Sequence, residues 1–172
     1  MIVQDSQIEK IDSRYFNGKV DITDPCYDKD VWCRTTIKVK QGIYNCYVRL
    51  LTQDYTDRYG TVVRDIRVSN IFMVIDEYNN EVYDEIDADA LDNWEYIDSI
   101  GVDAGLAGFF ENKPDYDDNE WGKLCENVFF NGIYGVLDCG FWCSSGYGDG
   151  NYPCYRRCNK NDETIAIMIE FI

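Results

Sequence analysis

Four aspartates, a serine and a tyrosine stand where acid–base chemistry or cation binding would need them. Asp149, Ser145 and Tyr152 belong to Ser145-Gly-Tyr-Gly-Asp-Gly-Asn-Tyr-Pro-Cys-Tyr155, which holds three glycines within eleven residues. Asp103 belongs to a second glycine stretch, Gly101-Val-Asp-Ala-Gly-Leu-Ala-Gly108, and Asp21 and Asp24 close an early apolar alternation. Glycines at alternate positions let the backbone take positive φ and approach another group closely. The two glycine stretches are therefore expected to meet, with Asp24, Asp103, Ser145, Asp149 and Tyr152 lining a cleft between them. A carboxylate pair drawn from Asp21, Asp24, Asp103 and Asp149 can move a proton or hold a divalent cation. With thirty-two carboxylates in the chain such a pair also arises by chance.

The chain has no histidine. That excludes Ser-His-Asp and Cys-His catalysis and every zinc site that uses imidazole. Ser144 and Ser145 have no histidine base to activate them, and no catalytic residue is assigned. Gly146-x-Gly148-x-Gly150 lacks the dinucleotide spacing and leads into a strand, so no nucleotide cofactor is expected. Cys139-x-x-x-Cys143 and Cys154-x-x-x-Cys158 flank the glycine loop. Three intervening residues on a strand place two sulfurs roughly 13 Å apart, too far for one half to chelate. Buried thiols are the expected reading, with no metal and no cofactor. Asp115 to Glu126 imitates a calcium loop at positions 1, 3, 5 and 12, but Glu120 stands where the sharp turn needs glycine. It reads as an acidic helix start.

Charge is the strongest signal. Sixteen basic against thirty-two acidic residues leave a net charge of −16. Residues 1–67 carry eleven bases and ten acids, whereas residues 68–172 carry five bases and twenty-two acids. Such a field repels nucleic acid and favours a basic partner. The acids concentrate over 76–98, with no base among them. Asp76, Glu77, Glu81, Asp84, Glu85, Asp87, Asp89, Asp92 and Glu95 are the candidate partner contacts, with Tyr78, Tyr83, Trp94 and Tyr96 interleaved. Carboxylates spaced along a helix can imitate a row of phosphates, and the aromatics add contact area. The plainer reading is a solvated acidic helix.

Periodicity supplies the elements that position these residues. Residues 1–18 read as a short first strand or a loose lead-in, 19–27 as strand then turn, and 33–51 as a β-hairpin. A polar loop follows over 52–61, then a long strand over 62–76, bent near Ser69 and Asn70. A turn is expected over 78–81. Helical spacing of Ile86, Ala90, Leu91 and Trp94 predicts a helix over 84–94. Strands are predicted over 96–110, interrupted by the small residues of Gly101-Val-Asp-Ala-Gly105, and over 133–143, 152–157 and 164–171, with a short helix over 120–127. Seven to nine strands and one or two short helices define a single mainly-β domain, an antiparallel β-sandwich or curled sheet. The amino terminus shows no export signal, and no window approaches the roughly 18 apolar residues of a membrane span. A cytoplasmic protein is expected, in reducing surroundings that keep thiols free.

The Gly101–Phe110 and Ser145–Tyr152 stretches, the closing Ile165-Ala-Ile-Met-Ile-Glu-Phe171 and the Asp24-Pro-Cys-Tyr27 turn resemble a family of bacterial and phage proteins known only as a domain of unknown function. The resemblance implies a fold type and a phage or mobile-element setting, and no reaction. A small, strongly acidic phage-type protein without an evident active site also looks like an inhibitor of host defence, such as an anti-CRISPR. The implied partner is a basic nucleic-acid-binding host protein, for example a CRISPR nuclease. The implied site of action is the host cytoplasm.

Overall fold

The computed structural model describes residues 4–28, 34–111 and 117–172. In chain order the strands are β1 (Gln4–Phe16), β2 (Lys19–Thr23), β3 (Thr35–Lys38), β4 (Gly42–Thr56), β5 (Val62–Ile75), β6 (Trp94–Val102), β7 (Leu106–Phe110), β8 (Tyr134–Leu137), β9 (Gly140–Ser144), β10 (Gly150–Cys158) and β11 (Thr164–Glu170). A 3₁₀ turn (Asp76–Tyr78) leads into helix α1 (Asn79–Asp87), and α2 (Asp118–Asn131) precedes β8. Six strands form one antiparallel sheet in the order β1-β4-β5-β11-β10-β6, and five form the other in the order β3-β2-β7-β9-β8. The domain is the expected mainly-β sandwich, with eleven strands among the described residues.

The core lies between the sheets. Tyr44, Cys46, Ile71, Met73, Ile167 and Ile169 from the larger sheet belong to one buried cluster with Val20, Ile22, Phe109, Phe141 and Cys143 from the smaller. Residues 68–75 of β5 are buried without alternation, as are residues 164–169 of β11. Both runs lie at the centre of the larger sheet, where α1 covers the face turned away from the core. Tyr47 stacks on Phe72 at 5.1 Å between ring centroids, and Tyr83 of α1 meets Tyr47 edge-on at 5.3 Å. α1 buries Val82 and Ile86 completely or nearly so. Burial of such side chains stabilises by about 1.5–3 kcal/mol each. A strand covered on both faces needs an apolar run in place of alternation, as Ile71-Phe-Met-Val-Ile75 provides.

α2 covers the outer face of the smaller sheet. Leu106, Phe110 and Trp142 form a second buried cluster, with Val128 of α2 packed on it. Asn127 fixes the helix there: its Oδ1 accepts from Trp142 Nε1 at 2.7 Å, and its Nδ2 donates to the Val136 carbonyl at 2.9 Å. At the helix start, Asp117 accepts from the Glu120 amide while Glu120 accepts from the Asp117 amide. This reciprocal cap is the acidic helix start read from the sequence; Asp115 lies outside the described residues.

Several expectations are corrected. Residues 4–16 form the first strand, longer than expected and paired with β4 at the sheet edge, and not a loose lead-in. Residues 33–51 are not a hairpin, since β3 pairs with β2 in one sheet and β4 with β1 and β5 in the other; Cys33 lies outside the described residues. The chain changes sheets at Lys40-Gln41-Gly42, where the Lys40 amide donates to the Thr164 carbonyl at 2.8 Å. The long hairpin is β4–β5, so 52–56 is strand and the loop is confined to 57–61. Ser69 is the bulged residue, because Arg49 faces Asn70 while Leu50 faces Val68. The helix begins at Asn79, not Asp84, and its buried face is Val82 and Ile86, whereas Ala90 is exposed and Trp94 already opens β6. Residues 133–143 divide into two strands and α2 runs to Asn131, whereas the break between β6 and β7 falls at the expected interruption.

Candidate functional site

The two glycine stretches meet as expected, and they meet at a corner. β6 crosses from the larger sheet into β7 of the smaller through residues 103–105, and β9 crosses back into β10 through residues 145–149. Gly150 pairs with Val102 on one side of the crossing and Ser144 with Leu106 on the other. The Ser145 amide donates to the Gly105 carbonyl at 3.0 Å. Gly105, Gly146 and Gly148 all have positive φ, the conformation that lets both crossings turn this sharply. At Gly108 the reason is space, since a Cβ there would lie 1.9 Å from the Phe141 carbonyl oxygen.

Most of the polar side chains at this corner are committed to the fold. Asp24 is fully buried, and its carboxylate accepts from the amides of Cys26 at 2.9 Å, Asp103 at 3.1 Å and Ala104 at 2.9 Å. Ser145 Oγ donates to the Gly148 carbonyl at 2.7 Å, and Tyr152 donates to the same carbonyl at 2.7 Å. Asp21 binds Arg34 at 2.9 Å and accepts from Thr36 at 2.6 Å. Only Asp103 and Asp149 of the expected cleft residues are exposed. Asp103 accepts from the Tyr27 hydroxyl, and that bond pushes the Tyr27 pKa up to about 12. Asp24, Ser145 and Tyr152 thus hold backbone at this corner, while Asp21 and Asp103 bind side chains. Among the described residues no group of three or more cysteines or carboxylates is placed to hold a metal ion. Cys143 and Cys154 belong to strands of different sheets and are both buried.

The acidic segment divides into two sets. Five of its carboxylates are neutralised by bases that the sequence places far away. Glu77 pairs with Lys40, Glu81 and Glu85 with Arg157, Asp89 with Arg49, and Glu95 with Arg156. The bond to Glu77 raises the Lys40 pKa, and that to Glu85 raises the Arg157 pKa. Asp76 accepts from Asn45 Nδ2 at 2.9 Å. Asp89 has a φ of 52°, a left-handed conformation that closes the helix.

Asp84, Asp87 and Asp92 are exposed, and no described cation pairs with them. Asp84 and Asp87 lie three residues apart on α1, with Glu81 one turn before, so their Cβ atoms are about 5–6 Å apart along one ridge. The ridge faces away from Val82 and Ile86, which hold the helix on the sheet. Two neighbouring aromatics, Tyr83 and Trp94, are half-buried against the core, and Tyr96 remains exposed. The sequence overstated the field because ion pairs across β4, β10 and α1 are invisible in a linear count.

No known family, curated protein or solved structure matches the chain. Among the described residues no helix is long and apolar enough to cross a membrane.

Proposed function

We propose that this protein is a non-enzymatic binding protein that docks the ridge of α1 and its flanks on the basic, nucleic-acid-binding surface of a partner. The partner class is a host defence effector, inhibited in the manner of an anti-CRISPR. The observation that carries the reading is the set Asp84, Asp87 and Asp92: exposed carboxylates that no cation among the described residues pairs with, on a chain of net charge −16. Unpaired surface carboxylates accept charge-assisted hydrogen bonds from Arg and Lys, and their field steers a basic partner. The commitment of Asp24, Ser145 and Tyr152 to backbone supports binding over catalysis. The phage setting is supported by the sequence motifs alone.

The test is displacement of labelled nucleic acid from a panel of RNA-guided nucleases. Wild type should compete, and the triple variant D84K, D87K, D92K should compete at least tenfold less well at unchanged melting temperature. Asp89 stays as it is, because its pairing with Arg49 belongs to the fold. Equal competition by a folded triple variant, or none by wild type, defeats the reading.

A further inference from the structure

α2 presents an apolar surface that the fold does not use. Phe129 and Phe130 are 82% and 79% exposed, the two most exposed large hydrophobic side chains among the described residues. Their rings meet each other edge-to-face at 5.2 Å. Beside Phe130 an open cavity of about 470 Å³ runs between α2 and the β8–β9 hairpin, with Leu124, Val136 and Leu137 in its walls. Contiguous exposed apolar surface of this kind marks an interaction site.

The rim selects the occupant. Glu120, Glu126 and Asp138 border the cavity, where Lys123 is the one cation among the described lining residues and Arg14 reaches the Asp138 carbonyl from outside at 2.9 Å. The last turn of α2 carries no basic residue, so the partial negative charge of its C-terminal carbonyls adds to the same end. An apolar floor inside an acidic rim is complementary to an apolar side chain flanked by Lys or Arg. A second copy of the chain is disfavoured, since two molecules of charge −16 repel one another.

We infer that the groove between α2 and the β8–β9 hairpin binds a basic amphipathic segment of a partner protein, which inserts an apolar anchor beside Phe130 and sets its Lys or Arg side chains on Glu126 and Asp138. The mode is helix-in-groove recognition, in which apolar anchors supply affinity and flanking charges supply register. The volume is that of a pocket for one or two large side chains, within the usual range of about 300–1,000 Å³ for small-ligand sites. The groove is built on α2 and the smaller sheet, and α1 lies on the larger, so the inference stands independently of the acidic ridge.

The test uses the intact protein and two synthetic helical peptides labelled with a fluorophore. Both carry the same Leu and Trp face, one with Lys on its polar face and the other with Glu. The Lys peptide should bind at least tenfold more tightly than the Glu peptide. Phe130→Ser should weaken the Lys peptide at least tenfold, and Asp84→Lys should leave it within twofold. Glu126→Lys, which spares the apolar walls, should weaken the Lys peptide and strengthen the Glu peptide. Circular dichroism of each variant checks the fold. Absence of binding by both peptides overturns the inference, as does equal binding by both. Lys-peptide binding indifferent to Phe130→Ser overturns it too, as nonspecific attraction. A dimer in sedimentation that Phe130→Ser dissolves would reassign the groove to self-association.

Discussion

Glu85 and Arg157, seventy-two residues apart, form a two-pronged ion pair that ties α1 to β10. Arg157 Nε donates to one Glu85 oxygen at 3.1 Å and Nη2 to the other at 3.0 Å. Their side chains are only 14% and 16% accessible, so solvent screens the pair weakly. Paired donors and acceptors fix geometry as well as charge.

Arg157→Ala should therefore destabilise the protein by about 2–4 kcal/mol, because it leaves Glu85 as a shielded charge without its partner. Glu85→Gln keeps one acceptor and should cost about half as much. Asp84→Asn, one residue away on the exposed ridge, should change stability by less than about 0.5 kcal/mol. Urea unfolding of the three variants checks the order. An Arg157→Ala protein as stable as wild type would mean that the packing of Val82, Tyr83 and Ile86, with the Arg49 contacts, holds α1 without this pair.

Asp24 organises the crossing between the sheets, and its loss has a local signature. Asp24→Ala leaves the amides of Cys26, Asp103 and Ala104 without their acceptor in a buried site. Each orphaned group costs about 1–3 kcal/mol, less whatever water recovers. The expected result is a loss of about 3 kcal/mol or more, with hydrogen exchange at 103 and 104 accelerated before the rest of the sheet. Asp24→Asn retains one carbonyl oxygen and should lose less. Uniform acceleration throughout the sandwich would place the role of Asp24 elsewhere.

What could be read from the sequence depended on whether the cause was local. Alternation located β2 and β3, enrichment in Val and Ile located β5, and the glycines at 101–108 and 145–151 were enough to bring two crossings together. The apolar runs at 71–75 and 165–169 announced strands but not that α1 would cover them. Nothing local separates β3 from β4, since the turn at Lys40-Gln41-Gly42 serves a hairpin and a change of sheet equally well. The helical spacing of Ile86, Ala90, Leu91 and Trp94 was genuine as a pattern, yet Asp89 at positive φ ends the helix before that face is used. The acidic segment misled most. Its bases, Lys40, Arg49, Arg156 and Arg157, arrive through strand pairing. The groove at Phe129 and Phe130 did carry a signal: two adjacent phenylalanines at the end of a short helix cannot both face the same core.

The thiols should divide by burial. Cys46, Cys143 and Cys154 are buried, and desolvation pushes the Cys46 and Cys143 pKa values well above the ordinary thiol range. Cys125 is exposed. Since the thiolate is the reactive form, a disulfide reagent at pH 8 should modify Cys125 first among the described thiols, and the three buried ones only on unfolding. Cys125→Ser should remove the fast phase. Denatured protein should titrate eight thiols with or without prior reduction. A lower count without reductant would reveal a disulfide.

Alkaline pH probes the fold through its tyrosines. Burial raises the pKa of Tyr44, Tyr47, Tyr152 and Tyr155, and a hydrogen bond to Glu9 raises that of Tyr134. Each is neutral when protonated, and each has a folded pKa above its unfolded value of about 10. The stability they contribute is therefore complete below pH 10 and is lost as pH climbs through the folded values. Unfolding free energy should hold level with respect to these groups up to about pH 9.5, then fall. Tyr44 isolates the effect, being buried and donating to the Lys40 carbonyl at 2.6 Å. Tyr44→Phe leaves that carbonyl without its hydroxyl donor and should cost about 1 kcal/mol at pH 7. It also removes one group whose ionisation opposes folding, so its disadvantage should shrink above pH 10. The measurement is urea unfolding of both proteins between pH 7 and 11, with tyrosinate absorbance followed alongside. Curves that stay parallel over that range would mean that Tyr44 ionises no less readily in the folded chain than in the unfolded one.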